Sequence, residues 1–182
     1  MQPTRATNML IRHVSVFDAL TDREVDAFTV FVKERRLAVG EVLFAEGDFG
    51  ESLFVLLQGQ IAVYVRGPGG EQVHLARLVP GDIIGEGACI DPAPRSAATV
   101  AHSPAVLLEL NRQSLERMAV EQPKVASVLL GAIIQDLTHR LRDVDRRVEA
   151  ALGSKAPPPV PSRPPAPRTG SFDRLASRFK VR

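Results

Sequence analysis

Between Leu37 and Leu110 no apolar run outlasts a short strand before a turn residue interrupts it. VLFAEGD ends in Glu-Gly-Asp, SLFVLLQG ends in glycine, and QIAVYVRGPGGEQVHLARL sets Gly-Pro-Gly-Gly between two alternating runs, the pattern of a β-hairpin. A further turn is marked by Pro-Gly-Asp at 80–82. Many short strands at such close spacing predict an antiparallel barrel or jelly-roll-like double sheet.

Helical periodicity brackets this region. Residues 15–36 read as a helix with Phe17, Leu20, Val25, Phe28, Phe31 and Val32 near one face, and Thr21-Asp22-Arg23-Glu24 resembles a capping box. Residues 111–121 predict a short helix that stops near Gln122-Pro123, and residues 124–151 a long one. In the long helix Leu130, Ile134, Leu137, Leu141, Val144, Val148 and Ala151 recur at alternating spacings of four and three, an a/d seam. Such a seam lies either against the helix's own barrel or against a second helix. Val125, Val128, Leu129, Ala132 and Ile133 add apolar surface near the helix start. The first half is therefore expected to pack on the domain, and the later heptads to pair in a homodimer. The expected fold class is α+β: an antiparallel β-roll or jelly-roll-like barrel flanked by an N-terminal helix and C-terminal helices, followed by a disordered Pro-rich tail. The expected organisation is an N-terminal extension (1–14), the folded domain (15–152), a Pro-rich linker (153–170) and a basic amphipathic motif (171–182).

The net charge of +2 conceals an asymmetry. Residues 155–182 carry seven Lys/Arg and one Asp, so the basic character belongs to the tail and gives no argument for DNA binding by the folded part. Residues 156–168 hold seven of the fourteen prolines and favour an extended spacer or docking ligand. In SFDRLASRFKVR, Phe172, Leu175 and Phe179 share a helical face among basic residues, with Ser171 as N-cap. This motif is either a segment that folds on a protein partner or, more weakly, on an anionic membrane surface, or else a solvated basic end. The N-terminus lacks the apolar core of a signal peptide and no run is long enough to cross a bilayer, which predicts a cytoplasmic protein. The single cysteine, Cys89, and four scattered histidines offer no disulfide framework and no metal cluster, so neither a metal nor a cofactor is expected.

The chemistry concentrates in residues 81–100, GDIIGEGACIDPAPRSAATV. Glu86 and Arg95 form either a surface ion pair of little worth or two ends of a site for a small anion bearing hydroxyls. Gly85-Glu86-Gly87-Ala88 supplies consecutive backbone N–H groups without bulky side chains, and a short helical turn after them would aim its positive end at a negative group. Pro92 and Pro94 return the chain towards that point, where the Arg95 guanidinium would give bidentate recognition of a phosphate.

Three stretches in order, HVSVFDAL, VLFAEGDFGESLFVLLQGQIAVYV and GDIIGEGACIDPAPRSAATV, resemble the cyclic nucleotide-binding domain family, of the catabolite-activator and cAMP-dependent kinase regulatory type. The resemblance spans roughly residues 10–150. It implies that Glu86 accepts a hydrogen bond from the ribose 2′-hydroxyl and that Arg95 pairs with the cyclic phosphate. Gly85 gives the backbone room, while N–H groups near Gly87 and Ala88, with Ser96, complete the phosphate cradle. Gly87 stands where the family usually has a bulkier apolar residue, and an ungapped alignment puts Thr99 in a position usually held by Val. Ser96 is compatible with cAMP as the first choice, with cGMP or a cyclic dinucleotide as alternatives, and Gln135, Thr138 and His139 are polar candidates to cap the base. The expected function is a non-enzymatic sensor that signals through its C-terminal helices and tail to a protein partner; the alternative is a structural or localisation adaptor that has lost or altered ligand binding. Residues 153–182 are too short and proline-rich for the helix-turn-helix of a DNA-binding regulator.

Overall fold

Alternation along the central strands sorts side chains into two apolar clusters, and this decides the architecture. In the computed structural model, which describes residues 1–152, Leu53, Val55 and Leu57 of β4 (Ser52–Gln58) join one cluster, while Phe54 and Leu56 join the other. The strand β10 (Ala105–Asn111) divides in the same way, with Val106, Leu108 and Leu110 on one side and Ala105 and Leu107 on the other. Both strands are covered on both faces and so read as nearly continuous apolar runs. One sheet has the order β1-β10-β4-β7, with β1 at Lys33–Leu37 and β7 at Ile83–Ile84. The second has the order β2-β9-β5-β6, formed by β2 (Val42–Phe44), β5 (Ile61–Arg66), β6 (Gln72–Leu78) and β9 (Ala98–Ala101). A small ladder joins β3 (Phe49–Gly50) to β8 (Ala93–Pro94). The β5–β6 hairpin turns at Gly-Pro-Gly-Gly as expected, with Gly67 N donating to Glu71 O at 2.8 Å.

The helices cover the first sheet. α1 (Arg5–Ile11), α2 (Asp22–Thr29), α4 (Arg112–Glu121) and the start of α5 (Pro123–Leu152) enclose a cluster that includes Ile11, Phe28, Met118, Leu129 and Ile133, all essentially inaccessible. The capping box at Thr21 and Glu24 is formed. Glu24 also pairs with Lys124 of α5 at 2.8 Å, and that hydrogen bond leads the causes holding its carboxyl at about 2. The fold is thus the α+β β-roll with flanking helices anticipated from the sequence.

Two expectations need correction. Residues 15–36 are not one helix: a 3-10 turn (Ser15–Phe17) and α2 are followed by the strand β1, which pairs with β10 from Lys33↔Glu109 to Leu37↔Ala105. Pairing with a long buried strand overrides the helical preference of Lys-Glu-Arg-Arg. Residues 1–14 are not an appendage either, because Ile11 and Val14 lie in the core and α1 is clasped through Glu34. That carboxylate, buried in β1, accepts from Thr7 Oγ1, from Thr4 N at 3.1 Å and from Arg36 Nε at 2.6 Å, and Glu34 N donates to Met1 O at 2.7 Å. Burial would raise the Glu34 carboxyl, but the three donors outweigh it and hold it below the ordinary carboxylate value.

The described residues divide into two units, 1–141 and 142–152. In the first, Val125, Ala126, Leu129 and Ile133 of α5 are buried, as expected for its first half, whereas Ile134, Leu137 and Leu141 are exposed. In the second, α5 continues to Leu152 with Val144 and Val148 exposed and Asp143 paired with Arg146. The Pro-rich linker and the basic motif lie outside the described residues. No helix among the described residues is long and apolar enough to cross a membrane, and no group of His, Cys, Asp and Glu among them could hold a metal ion.

Candidate functional site

The loop from β7 to β9 builds the site around a reversal at Gly85. Gly85 adopts φ +72°, the left-handed region that an L side chain rarely enters, and it is the N-cap of α3 (Glu86–Ile90). No side chain among the described residues caps α3 at that end, and the N–H groups of its first turn have no intrahelical acceptor. Ala88 and Cys89 anchor the helix inward; burial pushes the Cys89 thiol up, and its Sγ lies 3.7 Å from Leu110 O. Cys89 is therefore an inert core residue. The chain leaves α3 at Asp91 and returns along β8, whose pairing with β3 (Gly50↔Ala93, Phe49↔Pro94) delivers Arg95 to the Glu46-Gly47-Asp48 turn. There Arg95 N donates to Asp48 O at 2.8 Å and Gly47 N to Arg95 O at 2.9 Å.

The Arg95 side chain then runs inward and is only 7% exposed. Nη1 donates to Gly85 O at 3.0 Å and Nη2 to Ser52 O at 2.8 Å. The guanidinium lies over the Phe44 ring at 4.3 Å from its centroid, with Phe54 at 5.9 Å. Two glycines make this seat. A Cβ on Gly50 would come within 2.3 Å of Arg95 Nε, and one on Gly85 within 2.2 Å of Nη1. Burial lowers the Arg95 pKa from its ordinary value, against the opposing pull of Cys89 and Glu86. Among the described residues no carboxylate lies within ion-pair distance of this buried cation. A guanidinium carries five N–H donors, and backbone carbonyls occupy two.

Glu86, also buried, does not pair with Arg95, so the surface ion pair considered from sequence is not formed. Its Oε1 accepts from Arg140 Nη1 at 2.9 Å, while Oε2 is buried without a hydrogen-bond partner among the described residues. Arg140, on α5, also donates from Nη2 to Ile83 O at 2.9 Å, and Asp136 Oδ2 lies 2.6 Å away outside hydrogen-bond geometry. Arg140 is the residue that the sequence reading missed, and its spacing of four from Asp136 looks like any surface helix pair. Of the candidates named for capping a base, Gln135 and His139 are exposed and Thr138 Oγ1 is bonded to Ile134 O at 2.7 Å.

Gly87 and Ser96 are both exposed, and a Cβ on Gly87 would meet nothing within 4 Å. A bulkier residue there would be accommodated, so glycine is not demanded by space. Strand β9 pairs with β5 without a register break, from Tyr64↔Ala98 to Ile61↔Ala101. Thr99 consequently stands opposite Val63 and Phe44, 2% exposed, with its hydroxyl unpartnered among the described residues.

Residues 34–122 match the family model described as the cyclic nucleotide-binding domain. The chain is 31% identical over 134 residues to the cyclic AMP receptor protein of Thermus thermophilus, covering 74% of this chain and 60% of that protein. It resembles the solved N-terminal domain of a transcriptional regulator from Streptomyces coelicolor, with 33% identity, TM-score 0.61, and 72% of this chain and 94% of that one covered. A solved cyclic nucleotide-binding domain from Methylobacillus flagellatus is similar at 27% identity and TM-score 0.68, with 84% of each chain covered. Residues 34–122 thus belong to the cyclic nucleotide-binding domain family.

Proposed function

We propose that this cyclic nucleotide-binding domain serves a non-enzymatic sensor, with cAMP as its first-choice ligand. The observation that carries the reading is the buried Arg95 guanidinium, held by two backbone carbonyls and by no carboxylate among the described residues, beside the first turn of α3. A cyclic phosphate suits that arrangement, because charge-assisted donors and free N–H groups would face one anionic group. In this reading Arg95 takes the phosphate, with N–H groups near Gly87 and Ala88 and the Ser96 hydroxyl around it. Gly85 supplies the room, and Glu86 accepts from the ribose 2′-hydroxyl. The preference for cAMP draws on Ser96 and on the name of the Thermus relative, a cyclic AMP receptor. Calorimetric titration of the protein with cAMP, cGMP and a cyclic dinucleotide is the test; saturable binding that is tightest for cAMP is expected. The second reading, an adaptor that has lost ligand binding, gains support from the hold of Arg140 on Glu86. It predicts no heat from any of the three.

Signalling in this reading passes through α4 and α5, since ligand shifts their equilibrium only if the two arrangements bind it with different affinity. The exposed Leu137, Leu141, Val144 and Val148 support pairing of α5 in a homodimer. Sedimentation equilibrium of Leu141→Asp checks this, because a variant that associates as the wild type does would exclude the seam. The domain limits proposed from the sequence leave the basic motif 171–182 as a segment for a protein partner in the cytoplasm. Deleting 156–182 should abolish partner capture while leaving nucleotide affinity intact; unchanged capture would refute this role.

A further inference from the structure

Glu86 is sealed from two directions. Its side chain is 6% exposed, Oε1 is taken by Arg140, and Oε2 is buried with no donor among the described residues. Arg140 itself is 47% exposed and reaches the carboxylate from α5, fifty-four positions along the chain. The same guanidinium fastens α5 to Ile83 O, two residues before the Gly85 reversal, and it stays beside Asp136. A carboxylate in this state has no free acceptor that a sugar hydroxyl could approach. We propose that Arg140 is a tethered competitor for the ligand's 2′-hydroxyl, so that capture at Glu86 displaces the guanidinium and unfastens α5 from Ile83 and α3.

This rests on the reading that Glu86 receives the sugar, and three features make the exchange favourable enough to work as a switch. The Arg140 end of the pair is half in water, so breaking it forfeits a screened contact and not a fully desolvated one. On leaving Glu86 the guanidinium keeps Asp136 as a neighbour four residues away on its own helix. Glu86 in turn exchanges the Arg140 donor on Oε1 for the sugar hydroxyl, so the buried carboxylate keeps a hydrogen bond through the exchange. Linkage gives the consequence: whatever holds α5 in its fastened position weakens ligand binding by the factor by which ligand weakens that hold.

The test compares the wild type, Arg140→Ala and Glu86→Gln in calorimetric titrations with cAMP and with its 2′-deoxy analogue. Removing the competitor should tighten cAMP by about five- to tenfold, the scale of a half-exposed charge-assisted pair. The 2′-deoxy analogue does not call on Glu86, so Arg140→Ala should alter its affinity by less than about twofold. Unchanged or weaker cAMP binding by Arg140→Ala, with the wild type binding and Glu86→Gln impaired, overturns the competitor while leaving the sensor reading intact. No binding of either nucleotide by any of the three proteins overturns both. A second readout needs no affinity change: the guanidinium N–H resonance of Arg140, assigned by its loss in Arg140→Ala, should shift on saturation with cAMP and stay in place with the 2′-deoxy analogue. A resonance unmoved by cAMP contradicts displacement.

Discussion

Substituting Gly85 by alanine strikes the Arg95 seat twice. The backbone at φ +72° is left-handed, and an L side chain there costs about 1–2 kcal/mol. The added Cβ would also fall 2.2 Å from Arg95 Nη1 and 3.4 Å from Ser52 O, so the guanidinium must withdraw and its bond to Gly85 O is lost. The long side chain moves more cheaply than backbone would, so the larger penalty falls on the site. Stability in urea should drop by about 1–3 kcal/mol, combining the strain with one weakened bond to a charged group. Affinity for cAMP should fall by about 10- to 100-fold, the scale of a misplaced charge-assisted contact. Gly87→Ala, two residues on, is the internal control for stability: its Cβ meets nothing among the described residues, and within α3 the change should stabilise by about 0.4–1 kcal/mol. Gly85→Ala binding and unfolding like the wild type would refute the argument that this glycine exists to admit Arg95.

Two further outcomes follow from buried polar groups away from the α3 loop. Glu34 is held below its ordinary value of 4.5, so its contribution is present above that value and is lost as pH falls through the lower folded value. Glu34→Gln should lower stability by about 1–3 kcal/mol at neutral pH and flatten the acid limb of a urea-midpoint profile, whereas an unchanged limb would contradict the clasp. Thr99→Val removes a buried hydroxyl that has no partner and keeps the shape, so the urea midpoint should hold or rise, by up to about 1 kcal/mol; a clear loss would mean that the hydroxyl is bonded in solution.

What the sequence disclosed depended on how local each determinant is. The Gly-Pro-Gly-Gly hairpin and the capping box at Thr21 involve neighbours a few residues apart, and both were readable. Glu86 and Arg95 share one loop, so residue type and spacing marked them as candidates, while their roles came only from the family resemblance. Their partners were not readable, because Ser52 and Phe44 reach Arg95, and Arg140 reaches Glu86, only after the strands and α5 have packed. Strand β1 was lost for a related reason. Lys-Glu-Arg-Arg has helical character by itself, and its identity as a strand comes from β10 and from Thr4 and Thr7 around Glu34. The same contacts turn the supposed N-terminal extension into part of the core.

The central claim is that Arg95 is a buried cation waiting on a cyclic phosphate, and calorimetric titration of cAMP into the wild type and into Arg95→Ala tests it most directly. The account predicts saturable binding by the wild type and no measurable binding by a folded Arg95→Ala. Equal affinity in the two proteins would contradict it.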